Sequence, residues 1–216
     1  MSTPPQSQFD ASMFSRQDTT PDDLFYRSPR KVVHIDDGAL RAVTQLYRDV
    51  LPAGGAVLDL MSSWRSHLPA GVRFSRVAGL GMNAEEMRDN GQLTDAVVHN
   101  LNQTPRLPYD DASFDAAVCC VSVQYLQRPI EVFMEVRRVL KAGAPFVLTF
   151  SNRCFPSKAV RLWLGTDDRE HMEIVSSYFE VSGGWRDITT ADRSPARARL
   201  GMGDPLYAVW AYVMEA

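Results

Sequence analysis

Residues 107–126 read LPYDDASFDAAVCCVSVQYL, and residues 129–150 read PIEVFMEVRRVLKAGAPFVLTF. Phe114 to Val121 is a continuous apolar run bounded by turn residues, which predicts a fully buried strand. Pro129 stands where proline suits a first helical turn, because its N–H would lack an intrahelical partner anyway. Ile130 to Leu140 is amphipathic at helical spacing. Lys141-Ala142-Gly143 ends that helix, with Gly143 as the C′ residue. Phe146 to Phe150 is the next strand. Two buried strands joined through a helix imply parallel pairing, since parallel neighbours need a crossover and helices cover the sheet on both faces.

The same alternation extends outward. Ala56 to Leu60 reads as a buried strand and Arg76 to Leu80 as a second, followed by a helix opening at Asn83 with Glu85 and Glu86 in its first turn. Ala96 to Val98 is a third strand. Upstream, Leu40, Val43, Leu46, Tyr47 and Val50 give Ala39 to Leu51 a helical period, with Asp36 and Asp37 as N-cap candidates. Downstream, a helix from about Arg169 to Phe179 precedes two strand-like runs, Trp185 to Thr190 and Leu206 to Val213. The polar stretch Ala191 to Pro205 joins them as a hairpin closing one sheet edge. The expected fold is α/β: a Rossmann-like, seven-stranded, mostly parallel sheet with helices on both faces and a C-terminal antiparallel strand pair. Residues 1–22, rich in Ser, Thr, Pro, Gln and Asp, predict a disordered tail, and 23–216 a single domain.

Composition narrows the function. At 216 residues, 45% hydrophobic and 23% charged, the chain has the balance of one ordinary globular domain. A formal net charge of −3 argues against a nucleic-acid partner, which usually meets a basic surplus. Cys119, Cys120 and Cys154 form no CxxC pair and read as reduced thiols. His34, His67, His99 and His171 lie too far apart to suggest a metal site. No apolar stretch reaches the ~18–20 residues of a membrane span. Residues 1–20 lack a signal-peptide core and carry Asp10 and Asp18, so the cytoplasm is the expected compartment.

In an open parallel sheet the ligand lies beyond the carboxyl ends of the strands, where strand order reverses. After the first strand come Asp59, Met61, Ser62, Ser63 and Trp64; after the second, Gly81, Met82 and Asn83; after the third, Asn100, Leu101 and Asn102. Ser122, Gln124 and Tyr125 follow the fourth, and Ser151, Asn152 and Arg153 the fifth. Strand ends that meet solvent are often polar, but five polar ends together suit hydrogen bonding to a small polar ligand.

The order VLDL (57–60), VAGLGMNAEEM (77–87), LPYDDASFDAAVCCVSVQYL and PIEVFMEVRRVLKAGAPFVLTF resembles class I S-adenosylmethionine-dependent methyltransferases of the type 11 group. The resemblance covers about residues 39–213. Its most specific parts are LPYDDASFDAAVCC and RRVLKAGAPFVLTF, which are similar to the family's "LPF…SFD.V" and "RVLKPGG…V" features. It implies S-adenosyl-L-methionine as cofactor and a small-molecule or protein acceptor; charge and hydropathy indicate neither nucleic acid nor membrane as partner, and the oligomeric state is open. The family's loop D-x-G-x-G-x-G falls here on Asp59, Met61, Ser63 and Arg65, so the three glycines are absent. Its ribose-binding acid at the end of the second strand falls on Gly81, with Asn83 as a neutral substitute two residues on.

By this resemblance Asp59, Met61, Ser62, Ser63, Gly81, Met82, Asn83, Asn100, Leu101 and Asn102 hold the cofactor. Trp64 is placed to stack on adenine or to face a sulfonium, and Arg65 to hold a carboxylate. His34 and Tyr125 are the catalytic candidates, His34 as a base near neutral pH. Tyr26, Arg30, Gln124, Asn152 and Arg153 are the substrate-facing candidates, Asn152 and Arg153 for an acidic acceptor. Two readings stand: a methyltransferase with a rebuilt loop, or a non-catalytic binding or scaffold protein that keeps the fold without the donor. A nicotinamide-dependent oxidoreductase would want G-x-G-x-x-G after the first strand, and none is present.

Overall fold

A computed structural model describes residues 9–215. Five strands run parallel: β1 (Ala56–Leu60), β2 (Arg76–Gly81), β3 (Asp95–Val98), β4 (Ala116–Cys120) and β5 (Pro145–Phe150). Two more, β6 (Trp185–Asp192) and β7 (Tyr207–Val213), form the terminal antiparallel pair, with β7 antiparallel to β5. The sheet order is β3-β2-β1-β4-β5-β7-β6, so the hairpin closes one edge as its sequence suggests. The helices are α1 (Asp22–Phe25), α2 (Asp37–Val50), α3 (Ala84–Arg88), α4 (Pro129–Val139), α5 (Arg161–Leu164), α6 (Asp168–Ser182) and α7 (Ala196–Arg199).

Alternation along β1 divides the core in two. Leu58 and Leu60 pack with Val132, Phe133 and Val136 of α4 and with Val175 and Phe179 of α6. Val57 points to the other face, where Ala39, Val43, Leu46 and Tyr47 of α2 meet Val77, Val118 and Val147. Asp36 caps α2 through Ala39 N–H at 2.9 Å, and Leu51, held extended before Pro52, ends it. Asp167 and Glu170 form a capping box on α6. Gly143 is not the C′ residue of α4: that helix stops at Val139, and Gly143, at φ +74°, turns the chain into β5 instead.

The crossover from β1 to β2 contains no helix. Its residues, MSSWRSHLPAGVRFS, lack an apolar helical period and include Pro69 and Gly71, so residues 61–75 spread as a loop over the strand ends. A sequence expectation that changes is the tail. Residues 1–8 lie outside the described residues, but residues 9–22 are docked on the domain. Phe9 and Phe14 set their rings 5.2 and 6.2 Å from Tyr178 of α6, and Asp18 N–H donates to Ser157 O at 2.8 Å. At the centre is Lys158, whose side chain is fully buried. Its Nζ donates to the carbonyls of Asp18 and Thr20 and lies 3.5 Å from Asp22 Oδ1, which also takes Arg16 at 2.8 Å. A buried ammonium persists only when paired in this way. The local composition of 9–22 hides the docking, because the partner stands some 140 residues away.

Among the described residues no helix is long and apolar enough to cross a membrane. Lys158→Met leaves Asp22 with half its cationic partners; the expected result in urea unfolding is a loss of about 3 kcal/mol, with faster proteolytic cleavage within 9–22.

Candidate functional site

One cavity opens at the carboxyl ends of β1, β2 and β4, where strand order reverses between β1 and β4. It gathers all ten residues expected to hold the cofactor: Asp59, Met61, Ser62, Ser63, Gly81, Met82, Asn83, Asn100, Leu101 and Asn102. Tyr26, Arg30, His34 and Tyr125 line it as well, as do Trp64, Arg65 and His67. Three substrate-facing candidates stand apart from it. Gln124 is fully buried and turned into the wall, donating to Val121 O at 3.0 Å. Asn152 is exposed, and Arg153 is exposed and paired with Asp204 at 2.7 Å. The lining also includes Asp22, Glu86, Cys120, Val121 and Phe155, which the strand-end rule missed; Glu86 and Phe155 lie past the short windows that rule scans.

Asp59 anchors the loop after β1. Its Oδ2 accepts from Ser62 Oγ at 2.6 Å and Ser66 Oγ at 2.7 Å. Asn90 Nδ2 then donates to Ser66 Oγ and to Ser63 O, each at 2.9 Å. Burial raises the Asp59 carboxyl to about 6, against the two serine hydroxyls that lower it. Met61 and His67 adopt φ +57° and +56°, and Val121 at the end of β4 adopts +48°. These are left-handed conformations that glycine takes freely and a β-branched residue rarely takes. The loop therefore keeps a glycine-type backbone at Met61 without the glycine, and strain gathers on this one cavity. The Met61 side chain packs partly on the core beside it.

Gly81 is explained by close approach. Ser62 N–H donates to Leu80 O at 2.8 Å, which lays the loop on β2. A Cβ at residue 81 would stand 2.1 Å from Ser62 O, so no acidic side chain fits there. Asn83 does not substitute for it: Oδ1 caps α3 at Glu85 N and Glu86 N, while Nδ2 donates to the carbonyls of Tyr26 and Arg27. Its amide is thus spent on capping α3 and on holding the 26–35 segment. Asn102 is spent likewise, on Asp22, Tyr125 O and Gln127 N, and Asn100 Oδ1 accepts from Asn102 N at 3.0 Å. Glu86 also lines the cavity, and its carboxylate accepts from Ser63 Oγ and Arg30 N, each at 2.6 Å.

Residues 26–35 cross the cavity as a strap. Trp64 Nε1 donates to Val32 O at 2.9 Å, and the Arg65 guanidinium sits 4.3 Å over the Trp64 ring, covering a face that the sequence assigns to adenine. Burial, then Arg65, lowers His67 to about 4. On the far wall Phe155 is flanked by His34 at 5.2 Å and Tyr125 at 6.1 Å. Burial and Arg30 hold His34 below its ordinary value while Glu86 opposes them, so the imidazole is neutral near pH 7 and able to accept a proton. Tyr125 is raised to about 12 by burial, and its hydroxyl oxygen accepts Phe155 N–H at 2.8 Å. The phenol is therefore protonated near pH 7.

Residues 65–148 match a family described as a methyltransferase domain. Among curated proteins, the malonyl-[acyl-carrier protein] O-methyltransferase of Marinomonas sp. is 30% identical over 67 residues, 31% of this chain and 25% of that protein. The methyltransferase phqN of Penicillium fellutanum is 29% identical over 46% of this chain and 33% of its own length. The chain thus matches a third or less of either relative. Among solved structures, a chain of the complex between the Haloferax volcanii Trm112 methyltransferase activator and its methyltransferase superposes with a TM-score of 0.61 at 15% identity, over 83% of this chain and 92% of that one. The [4+2]-cyclase SpnF gives 0.60 at 16%, over 88% and 90%. An S-adenosylmethionine-dependent methyltransferase from Aquifex aeolicus gives 0.56 at 16%, over 96% and all of that chain. At these identities the structures establish the fold, and SpnF shows that the fold serves other chemistry.

Two substitutions probe the loop. Gly81→Ala forces Ser62 off β2, and the expected cost is about 2–3 kcal/mol in urea unfolding. Asp59 binds its proton more tightly folded than unfolded, so its contribution to stability is full below about pH 4 and is lost as pH rises through about 6. Wild type measured against Asp59→Asn should lose up to about 3 kcal/mol of relative stability across that window.

Proposed function

We propose that this chain, which has the class I methyltransferase fold and a type 11-like methyltransferase-domain sequence, transfers a methyl group from S-adenosylmethionine to an acceptor in the cavity described above. The observation that carries this reading is a single cavity running from the loop after β1 to Asn100–Asn102 on one side and to His34 and Tyr125 on the other. The residues present fit the donor. Ser62, Ser63, Trp64, Arg65 and His67 of the loop line the cavity, and the backbone N–H groups of Ser63, Trp64, Arg65 and His67 have no acceptor among the described residues. Asp59 and Glu86 put negative charge on its walls, complementary to a cationic sulfonium. Glu86 takes the part of the missing ribose-binding acid. Leu101 offers an apolar surface to a purine, and Asn100 stands next to it.

When bound, S-adenosylmethionine supplies an activated methyl group. This chain's own residues supply position and dryness. The strap of 26–35, fastened to α3 through Asn83 and Glu86 and to the loop through Trp64, excludes water from the cavity. Tyr125 and Phe155 form the wall against which the acceptor is aligned. His34, neutral and at the mouth, takes the proton that the acceptor's nucleophile gives up.

A second reading rests on Ser62 O, which stands where a family member would carry its acid. On that reading the fold persists as a binding domain without the donor. Isothermal calorimetry separates them. Methyl transfer predicts that S-adenosylmethionine and its demethylated product bind at sub-millimolar concentration. It also predicts that Asp59→Ala weakens both by about tenfold or more while circular dichroism is unchanged. Silence of the wild-type protein supports the binding domain.

A further inference from the structure

Arg30 on the strap presents its guanidinium to three rings: 4.4 Å from Phe25, 5.8 Å from Tyr26 and 5.7 Å from Phe155. Its backbone N–H, not its side chain, ties the strap to Glu86. Nη1 is buried and has no acceptor, and among the described residues no carboxylate lies within 4.0 Å of the guanidinium. Aromatic faces offset part of the cost of drying a guanidinium, but they leave its in-plane donors unmet. Unlike Arg16 and Arg193, which meet carboxylates, Arg30 stands on the cavity wall with its buried Nη1 unmet, in a planar fork that matches an oxyanion.

Position identifies which oxyanion. The rings around Arg30 belong to α1 (Phe25), to the strap (Tyr26) and to the segment after β5 (Phe155), and Phe155 also touches His34 and Tyr125. That wall faces the loop after β1, where Arg65 already supplies a cation over Trp64. We infer that the methyl acceptor is a small molecule carrying a carboxylate, which Arg30 grips between aromatic rings, with a separate nucleophilic hydroxyl or amine beside His34 that takes the methyl group and gives its proton to that imidazole. This rests on the methyl-transfer reading for the word acceptor, while the anion site itself does not. The acidic acceptor assigned from sequence to Asn152 and Arg153 thus finds its cation on another element.

Benzoate and benzamide are matched probes, alike in shape and differing in charge. Titrated calorimetrically with and without S-adenosylhomocysteine, wild-type protein should prefer benzoate by about ten- to a hundredfold. Arg30→Gln should abolish the preference and Arg30→Lys keep part of it, each with an unchanged circular dichroism spectrum. Equal binding of the two probes, or a preference that survives in Arg30→Gln, overturns the inference. So does an Arg30→Gln variant that weakens S-adenosylhomocysteine but not 5′-methylthioadenosine, for then Arg30 serves the donor's own carboxylate. An Arg30-dependent benzoate preference in a protein that ignores S-adenosylhomocysteine upholds the anion site and overturns methyl transfer alone.

Discussion

The contact between Ser62 and the end of β2 governs the rest of the site. Asp59 draws Ser62 and Ser66 inward, Ser62 N–H closes on Leu80 O, and Ser62 O then occupies the space a side chain at 81 would need. From that one close approach follow the glycine at 81 and the left-handed backbone at Met61. Glu86 then secures the loop from the other side, accepting from Ser63 Oγ at 2.6 Å. A buried carboxylate whose charge is costly is retained here because it organises a loop that has no helix to organise it.

The loop in turn needs the strap. A β1–β2 crossover without a helix exposes the strand ends, and residues 26–35 cover them through Trp64, Asn83 and Glu86. The strap is held from behind by the buried Lys158, which fixes residues 16–22 against the domain. Charge burial thus appears twice, once at each end of the cavity's cover. In both places it orders irregular chain that apolar packing would not.

The sheet was legible in the sequence because its central strands are short apolar runs and each major helix keeps its period: FDAAVCCV became β4, and Pro129 opened α4 as its ring geometry requires. That the residues at the ends of β1, β2 and β3 share one cavity was legible too, since strand ends map directly onto a known place in an open sheet. What stayed hidden was long-range. Nothing near Asn83 announces that it will be consumed by the carbonyls of Tyr26 and Arg27, and nothing near residues 9–22 announces Lys158. Arg153 and Arg30 look equally eligible in the sequence; only packing reveals that one meets Asp204 and the other only rings.

The central claim is that the rebuilt loop shapes the donor niche without filling it. A crystal structure grown with S-adenosylhomocysteine tests this most directly. The account predicts the nucleoside between Met61–Arg65 and Asn100, with Ser62 O still over Gly81 and Glu86 turned toward the ribose. A structure with that niche closed by the Met61 or Trp64 side chain, and no ligand within it, would contradict it.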